Sequence, residues 1–379
     1  MWVTETIENL CEIEYGTRVV RKREQGTIYP VYGGGGETFR IDRKNRTSRV
    51  VIARFGMSEG CTRYVDGDFF LNDSGLTLSP KGDELSQDFL NKIILSLNDS
   101  IYSIGRGTAQ KNLNMDAFKK LIISYPPVAE QERIVAKLDA AFAEIDGAVN
   151  AAIAKETEVQ KLKASLLSSS LTGNAVMWES VKLSEIITFV RGLTYSKKDE
   201  VDANGLAVLR ATNVSLEHHK ITLDEIRYIK TPVKLNEDKL VKVGDILMCT
   251  ASGSKSHLGK CALVKEDLGM AFGGFMAALR CKSSCLPEYL FYILTSNLFL
   301  KRLSSLSDGA SINNLKFSQI EDFEFPLPSL EEQERIVAKL DAAYSEFKNA
   351  NESILKSKVN YLALKSAILS QELQSSEAA

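Results

Sequence analysis

Side chains able to read base edges are concentrated in two parts of this 379-residue chain. Arginine can fork onto guanine, and asparagine or glutamine onto adenine. Lysine, serine, threonine and backbone amides hold phosphates. The first part supplies Arg18, Arg21, Lys22, Arg23, Arg40, Arg43, Lys44, Arg46, Arg54 and Arg106, with Gln110 and Asn112. Within it, YGGGGE adds Tyr32, Gly33, Gly34 and Gly35, where a side-chain-free backbone could lie against phosphates. From Tyr15 to Arg54 there are ten Arg and Lys against three acids, a local excess of seven positive charges. The second part supplies Arg191, Tyr195, Lys197, Lys198, Arg210, Asn213, Ser252, Ser254, Lys255, His257, Asn313 and Asn314. Taken singly, each could be ordinary surface. Their joint occurrence in two unlike stretches makes them candidates for contacting nucleic acid.

Catalysis finds no comparable support. Three histidines, at 218, 219 and 257, form no metal-binding pair, and no nucleophile elbow or methyltransferase tetrad is present. GRGTAQKN fails as a phosphate loop because Gln110, not glycine, precedes Lys111. YGGGGE is followed by the basic, polar RIDRKNR rather than a long helix, so it is no dinucleotide fingerprint. The six cysteines are scattered, and only Cys281 and Cys285 are close, which favours reduced thiols over disulfides or a zinc site. No metal and no cofactor is expected in this chain. The opening MWVTETIENL lacks the basic start and apolar run of a signal peptide, and no segment has the ~18 apolar residues of a membrane span. The expected location is the cytoplasm. The overall charge of −2 excludes a uniformly basic glove and implies weak nucleic-acid binding by the chain alone.

The elements that must position these side chains are written twice. EQERIVAKLDAA runs from Glu130 to Ala141 and returns, unchanged, from Glu332 to Ala343, an offset of 202. Upstream, GTAQKNLNMDAFKKLIISYPP (107–127) aligns without gaps on GASINNLKFSQIEDFEFPLPS (309–329) at the same offset. Downstream, KASLLSSSL (163–171) aligns on KSAILSQEL (365–373). A second offset, 176, pairs Trp2 with Trp178 and Gly16 with Gly192. A duplicated frame therefore carries two different inserts.

The repeated words begin helices. Pro126 and Pro127 suit a helix approach, and no proline follows as far as about Ser170. Leu138, Ile145, Ala152, Val159 and Leu166 fall seven apart, and Leu340, Phe347, Ile354, Tyr361 and Ile368 repeat the pattern. A second series (Ile134, Ala141, Ala148, Leu162; Ile336, Ala343, Ala350, Leu364) completes a coiled-coil seam. Chain connectivity requires two such helices to pack antiparallel, as a rod of roughly 60 Å for ~40 residues each. The two inserts hold strand-like runs (RVVIARF, DFFLN, LAVLRAT, DILMCTA, KCALV) and glycine-rich turns. The expected fold is α+β: two domains with mixed, mostly antiparallel sheets plus helices, joined by two long antiparallel helices as a pseudo-two-fold dumbbell. The expected division is 1–127, 128–173, 174–328 and 329–379.

The twice-written Pro-Pro or Leu-Pro, EQ-x-R-I-V-A-K-L-D frame, with a G-x-x-x-x-N-L element before each copy, resembles the specificity subunits of Type I restriction–modification systems. The resemblance covers the whole chain. It implies two target-recognition domains, each reading one half of a bipartite, asymmetric site on double-stranded DNA. It also implies docking of two modification subunits that bring S-adenosylmethionine and methylate adenine. Two restriction subunits using ATP and Mg are an optional addition. On this reading Glu130, Gln131, Arg133, Lys137, Glu332, Gln333, Arg335 and Lys339 belong to the docking frame. Unlike some relatives, this chain shows no tandem repeats between Gly147 and Gly173 and no lead-in before Trp2. Two rival classes are a coiled-coil scaffold that reads no DNA and a self-contained restriction–methylation enzyme.

Overall fold

The computed structural model describes residues 1–24, 26–108, 110–172, 177–202, 204–230, 236–254, 257–307 and 314–373. The chain divides into two compact units. One comprises Met1–Ala154 with Ile354–Ala379, and the other is Lys155–Ser353. Each long helix is thus shared between the units, whereas the sequence division set the helices apart as separate pieces.

In the first unit β1 (Val3–Thr6), α1 (Ile7–Leu10) and β2 (Cys11–Tyr15) follow without a break. Next come β3 (Tyr29–Gly33), β4 (Gly36–Ile41), β5 (Arg46–Ala53), β6 (Thr62–Leu71) and β7 (Gly75–Pro80). Among the described residues these form a six-stranded sheet, ordered β2-β7-β5-β6-β3-β4. Every pairing is antiparallel except β3 with β6. Helices α2 (Gln87–Ser96), α3 (Asn98–Ser103) and α4 (Met115–Lys119) come next, then β8 (Ile122–Tyr125), which pairs with β1. Ser86 starts α2 by accepting from the Phe89 amide. Asn91, buried on α2, accepts from the Val50 amide at 3.2 Å, beside the bulge between Thr47 and Arg49. Helix α5 (Val128–Thr172) completes the series. Ile7, Ile52, Leu76, Phe89, Phe118 and Ile123 are wholly buried together. They take in Ile134 and Leu138 from the start of α5 and Leu369 from the end of the last helix.

The second unit repeats the opening at an offset of 176, with β9 (Glu179–Lys182), α6 (Leu183–Ile186) and β10 (Ile187–Arg191). Its middle differs: β11 (Glu200–Val201), β12 (Leu206–Leu209), β13 (Arg227–Ile229), β14 (Ile246–Cys249), β15 (Cys261–Leu263), β16 (Ala271–Phe272) and β17 (Met276–Cys281). Among the described residues these make two four-stranded sheets, β10-β17-β14-β15 and β11-β13-β12-β16. Helices α7 (Pro287–Thr295) and α8 (Asn297–Ser307), strand β18 (Glu324–Leu327) on β9, and helix α9 (Leu330–Leu373) close the unit. Leu167 and Leu171 of α5, with Ile336 and Leu340 of α9, join its core around Tyr289. The five strand-like runs named above all coincide with strands.

Antiparallel helix packing holds within each unit. In the first, Lys137 meets Glu372 and Asp146 meets Lys365, so the numbers rise on one helix as they fall on the other. In the second, the Lys163 ammonium sits 4.5 Å from the Tyr344 ring centroid. The seam is not a strict heptad. Leu138, Ile145 and Ala152 are buried, but Val159 and Leu166 only partly, and Leu167 and Leu171 take their place. On α9, Leu340 is buried, Phe347, Ile354, Tyr361 and Ile368 are half-buried, and Leu369 takes over. Leu162 and Leu364 of the second series are exposed. An α-helix of 3.6 residues per turn drifts ~20° per heptad, so the buried face advances by one position.

Candidate nucleic-acid interface

The two inserts end in loop clusters built on one plan. In the first unit the chain leaves β2 at Gly16, where an added Cβ would lie 1.8 Å from the Asn72 carbonyl oxygen. The second unit matches it: at Gly192 a Cβ would lie 2.1 Å from the carbonyl oxygen of Gly273. Only glycine lets these strands pass so closely. The Gly16 and Gly192 amides donate to the carbonyls of Gly75 and Met276, and the next residues, Thr17 and Leu193, to those of Leu71 and Phe272. The Asn-Leu elements are a second shared pin. The Leu113 amide donates to the Arg54 carbonyl at 2.9 Å, and the Leu315 amide to that of Thr250 at 2.6 Å. The Asn-Leu end of each element is therefore bound to the exit of a central strand, β5 or β14. Residues 15–17, 33–35, 54–57, 72–74 and 110–113 converge in the first unit, and 192–195, 250–254, 273–275 and 314 in the second.

In the first cluster the Arg54 guanidinium lies over two aromatic rings, its carbon 4.5 Å from the Tyr15 centroid and 4.9 Å from that of Phe55. Its Nη1 donates to the Asp73 carbonyl, so the fork is held on a stacked platform. Asn112 is exposed, and its side-chain oxygen accepts from the Gly56 amide at 3.1 Å, while its backbone pairs with that of Arg106. Gln110 is exposed beside Gly56, and Arg106 is exposed facing the Asn114 amide. Arg18, Arg21, Lys22 and Arg23 are exposed on the loop after β2. Phe55, 50% exposed, was missed; its signal was an aromatic directly after Arg54 at a strand end.

Several expected contacts are spent inside the unit. Arg46 is almost covered; it donates from Nε to the Thr77 hydroxyl at 2.7 Å and pairs with Glu14 at 3.5 Å. It braces β5 and cannot reach a ligand without breaking those bonds. Arg43 pairs with Glu24 at 2.6 Å, Lys44 with Asp68 at 2.8 Å and Arg40 with Glu37 at 3.3 Å. Glu24 and Glu37 are already counted in the local excess, so among the described residues only Glu14 and Asp68, from outside the stretch, reduce it. These three pairs are exposed and worth little, so their cations can exchange to phosphate. Tyr32 packs edge-on to Phe69, and a Cβ on Gly33 or Gly34 would strike Ser74 or Ala53. Those glycines serve the turn's packing. Gly35 alone of the three has open space around it.

In the second cluster Asn314 is exposed and paired to Ala251, and the Thr250 and Ala251 amides both donate to the Phe275 carbonyl. The Ser252 hydroxyl accepts from the Ser254 amide, and His257 is exposed. Phe275, 71% exposed, was also missed and stands beside these polar loops. Lys197 and Lys198 are exposed on a short turn, and Arg191 is exposed at the end of β10. Tyr195 is half-buried on Val208, Ile229 and Ala271, and burial raises its phenol pKa. Asn213 is a correction: it is 2% exposed, accepts from the Arg210 amide, and donates to the Thr222 and Asp224 carbonyls. Every polar atom of its side chain is occupied within the fold. Arg210 is half-buried beside it and donates to the Glu225 carbonyl. Lys255 and Asn313 lie outside the described residues.

The repeated frame holds the other surprise. Gln131 and Gln333, expected on a docking surface, are both fully buried. Gln131 accepts from the Ser86 amide at 2.8 Å and donates to the carbonyls of Glu84 at 2.7 Å and Pro126 at 2.8 Å. Gln333 makes the matching set with Leu286, Ser284 and Pro328. They lock each helix start to its unit. Glu130 and Arg133 form an exposed bidentate pair, as do Glu332 and Arg335, which lowers the carboxylate pKa in each. Lys137 and Lys339 are exposed too.

The chain matches the family described as "Type I restriction modification DNA specificity domain" over residues 1–155 and 175–361. It is 33% identical over 168 residues to the Type I restriction enzyme StySPI specificity subunit of Salmonella potsdam. That alignment covers 43% of this chain and only 35% of the relative's length. It is 27% identical over 299 residues to the MjaVIII specificity subunit of Methanocaldococcus jannaschii, covering 72% of this chain and 68% of that one. A chain from a structure concerned with complex assembly and conformational transition of the type I R-M system shares the fold. Its TM-score is 0.72 at 19% identity, covering 98% of this chain and 97% of that one. The chain belongs to the Type I restriction–modification DNA specificity family.

Proposed function

We propose that this chain is the DNA-reading subunit of a Type I restriction–modification assembly and has no catalytic centre of its own. The observation that carries the reading is the duplicated frame presenting two unlike loop clusters, the first with forked and amide side chains and the second with hydroxyl, imidazole and amide groups. One cluster reads one half of a bipartite site and the other reads the second half. Arg54, Gln110 and Asn112 are the base-reading candidates in the first unit, and Asn314, Ser252, Ser254 and His257 in the second. A good bidentate pair discriminates bases by ~1–3 kcal/mol. Arg18, Arg21, Lys22, Arg23, Lys197 and Lys198 hold phosphates, which gives register and salt-dependent affinity without sequence preference.

Two copies of a modification subunit dock on the repeated helix starts through Glu130, Arg133 and Lys137 and through Glu332, Arg335 and Lys339. S-adenosylmethionine and the adenine-methylating chemistry belong to that subunit. Restriction subunits, with ATP and Mg, are an optional addition to the same assembly. The test is a domain exchange: residues 1–127 replaced by the equivalent segment of another family member, co-expressed with the modification subunit, and methylated adenines mapped. One half-site should change and the other persist. An unchanged methylation map would leave the scaffold reading instead.

A further inference from the structure

The two copies of the frame differ where an ion pair should repeat. In the first unit the Lys137 ammonium meets the Glu372 carboxylate at 2.7 Å, and the Glu372 side chain is only 16% exposed. Glu372 also lies within electrostatic reach of Arg133, which is held protonated first by Glu130 and last by Glu372. An offset of 202 carries Lys137 to Lys339, Arg133 to Arg335 and, in the other direction, Glu372 to Ser170. Serine offers no charge. Among the described residues Arg335 pairs with Glu332 alone and Lys339 has no ion-pair partner. Ser170 is 9% exposed, yet its hydroxyl has no hydrogen-bond partner among the described residues.

These groups share a cavity of about 240 Å³, lined by Ser170, Trp178, Glu332, Arg335 and Lys339 with Ser169 and Ile336. Glu332 is neutralised by its two hydrogen bonds from Arg335, at 2.7 and 2.6 Å. The lining therefore keeps one uncompensated positive charge, on Lys339, and one idle hydroxyl donor. The volume admits a carboxylate with part of its stem. We propose that this cavity of the second unit binds one carboxylate group from outside the chain, the group that Glu372 supplies to the same cations in the first unit. Lys339 provides the charge, Ser170 a neutral hydrogen bond, and Trp178 an apolar wall.

The test uses the full chain carrying Trp2→Phe, which leaves Trp178 as its one tryptophan. Acetate is titrated against chloride at constant ionic strength, reading Trp178 fluorescence and the unfolding of the second unit. Acetate should give a saturable signal and raise that transition, since a ligand that binds only the folded state stabilises it. Lys339→Ala, an exposed position whose loss leaves the core intact, should weaken acetate about tenfold, the worth of one charge-assisted contact. Ser170→Glu should abolish the acetate response by supplying the carboxylate internally. No difference between acetate and chloride overturns the proposal, as does an acetate response unchanged in Lys339→Ala. The modification subunit then identifies the source. A tenfold loss of its affinity for Ser170→Glu assigns the carboxylate to an acidic side chain of that partner, and unchanged affinity assigns it to a free carboxylate.

Discussion

Replacing Gln131 by alanine should cost this protein far more than its place in an exposed-looking, highly charged helix start suggests. The side chain is fully buried and makes three neutral hydrogen bonds of 2.7–2.8 Å to the backbone of residues 84, 86 and 126. Alanine removes all three at once and strands one amide and two carbonyls where water reaches poorly. A neutral bond contributes about 1 kcal/mol net, and a stranded buried group costs more, so the loss should be about 3 kcal/mol. For a domain of this size that lowers Tm by roughly 6–12 °C. The assay is urea and thermal unfolding of the full chain, following the transition of the first unit. Glu130→Ala is the control, because its carboxylate is exposed and bonds only Arg133; it should cost less than about 0.5 kcal/mol. Gln333→Ala should act in the same way on the second unit. A loss below 1 kcal/mol for Gln131→Ala, or one equal to that of Glu130→Ala, would refute the clamp.

Gly16→Ala and Gly192→Ala should each destabilise by more than about 2 kcal/mol, because the new Cβ has to displace a backbone carbonyl; Gly35→Ala, with open space around it, should be neutral in the same urea titrations. Burial holds the His219 pKa below its ordinary value, with Lys163 and His218 adding to it and the Cys261 carbonyl opposing. Protons then favour the unfolded chain, so stability of the second unit is full above about pH 6.5 and falls as pH drops below it. His219→Asn, which tolerates the positive φ at that position, should flatten this acid limb in pH-dependent unfolding. Lys197→Ala should lower affinity for all DNA sequences alike in the assembled complex and reduce the slope of log K against log salt by about 1.

Most of the architecture was legible because a duplicated chain states its frame twice. The identical EQERIVAKLDAA words start α5 and α9, and the offsets of 176 and 202 relate β1 to β9 and β8 to β18. What stayed hidden follows from physics that composition does not carry. Arg46 and Asn213 have the right chemistry for DNA, and only packing shows that their donors are already spent on Thr77 and on the Thr222 and Asp224 carbonyls. Gln131 sits among charged residues in sequence, yet the carbonyls of Pro126 and of the distant Glu84 both face its side-chain amide. Leu162 fits the heptad and is exposed, because the helix period and the heptad period part company over the four heptads from Ile134. Phe55 closes the RVVIARF run and Phe275 follows Gly273 and Gly274, but only the placed loops show both rings exposed beside polar side chains.

The central claim is that unlike loops on like frames read unlike half-sites. Its most direct test is to map methylated adenines in cells expressing the modification subunit with either the wild-type chain or Arg54→Ala, Asn112→Ala. Those two substitutions should relax or abolish selectivity in one half of the methylated sequence and leave the other half intact. Equal loss in both halves, or a sequence methylated as before, would contradict the account.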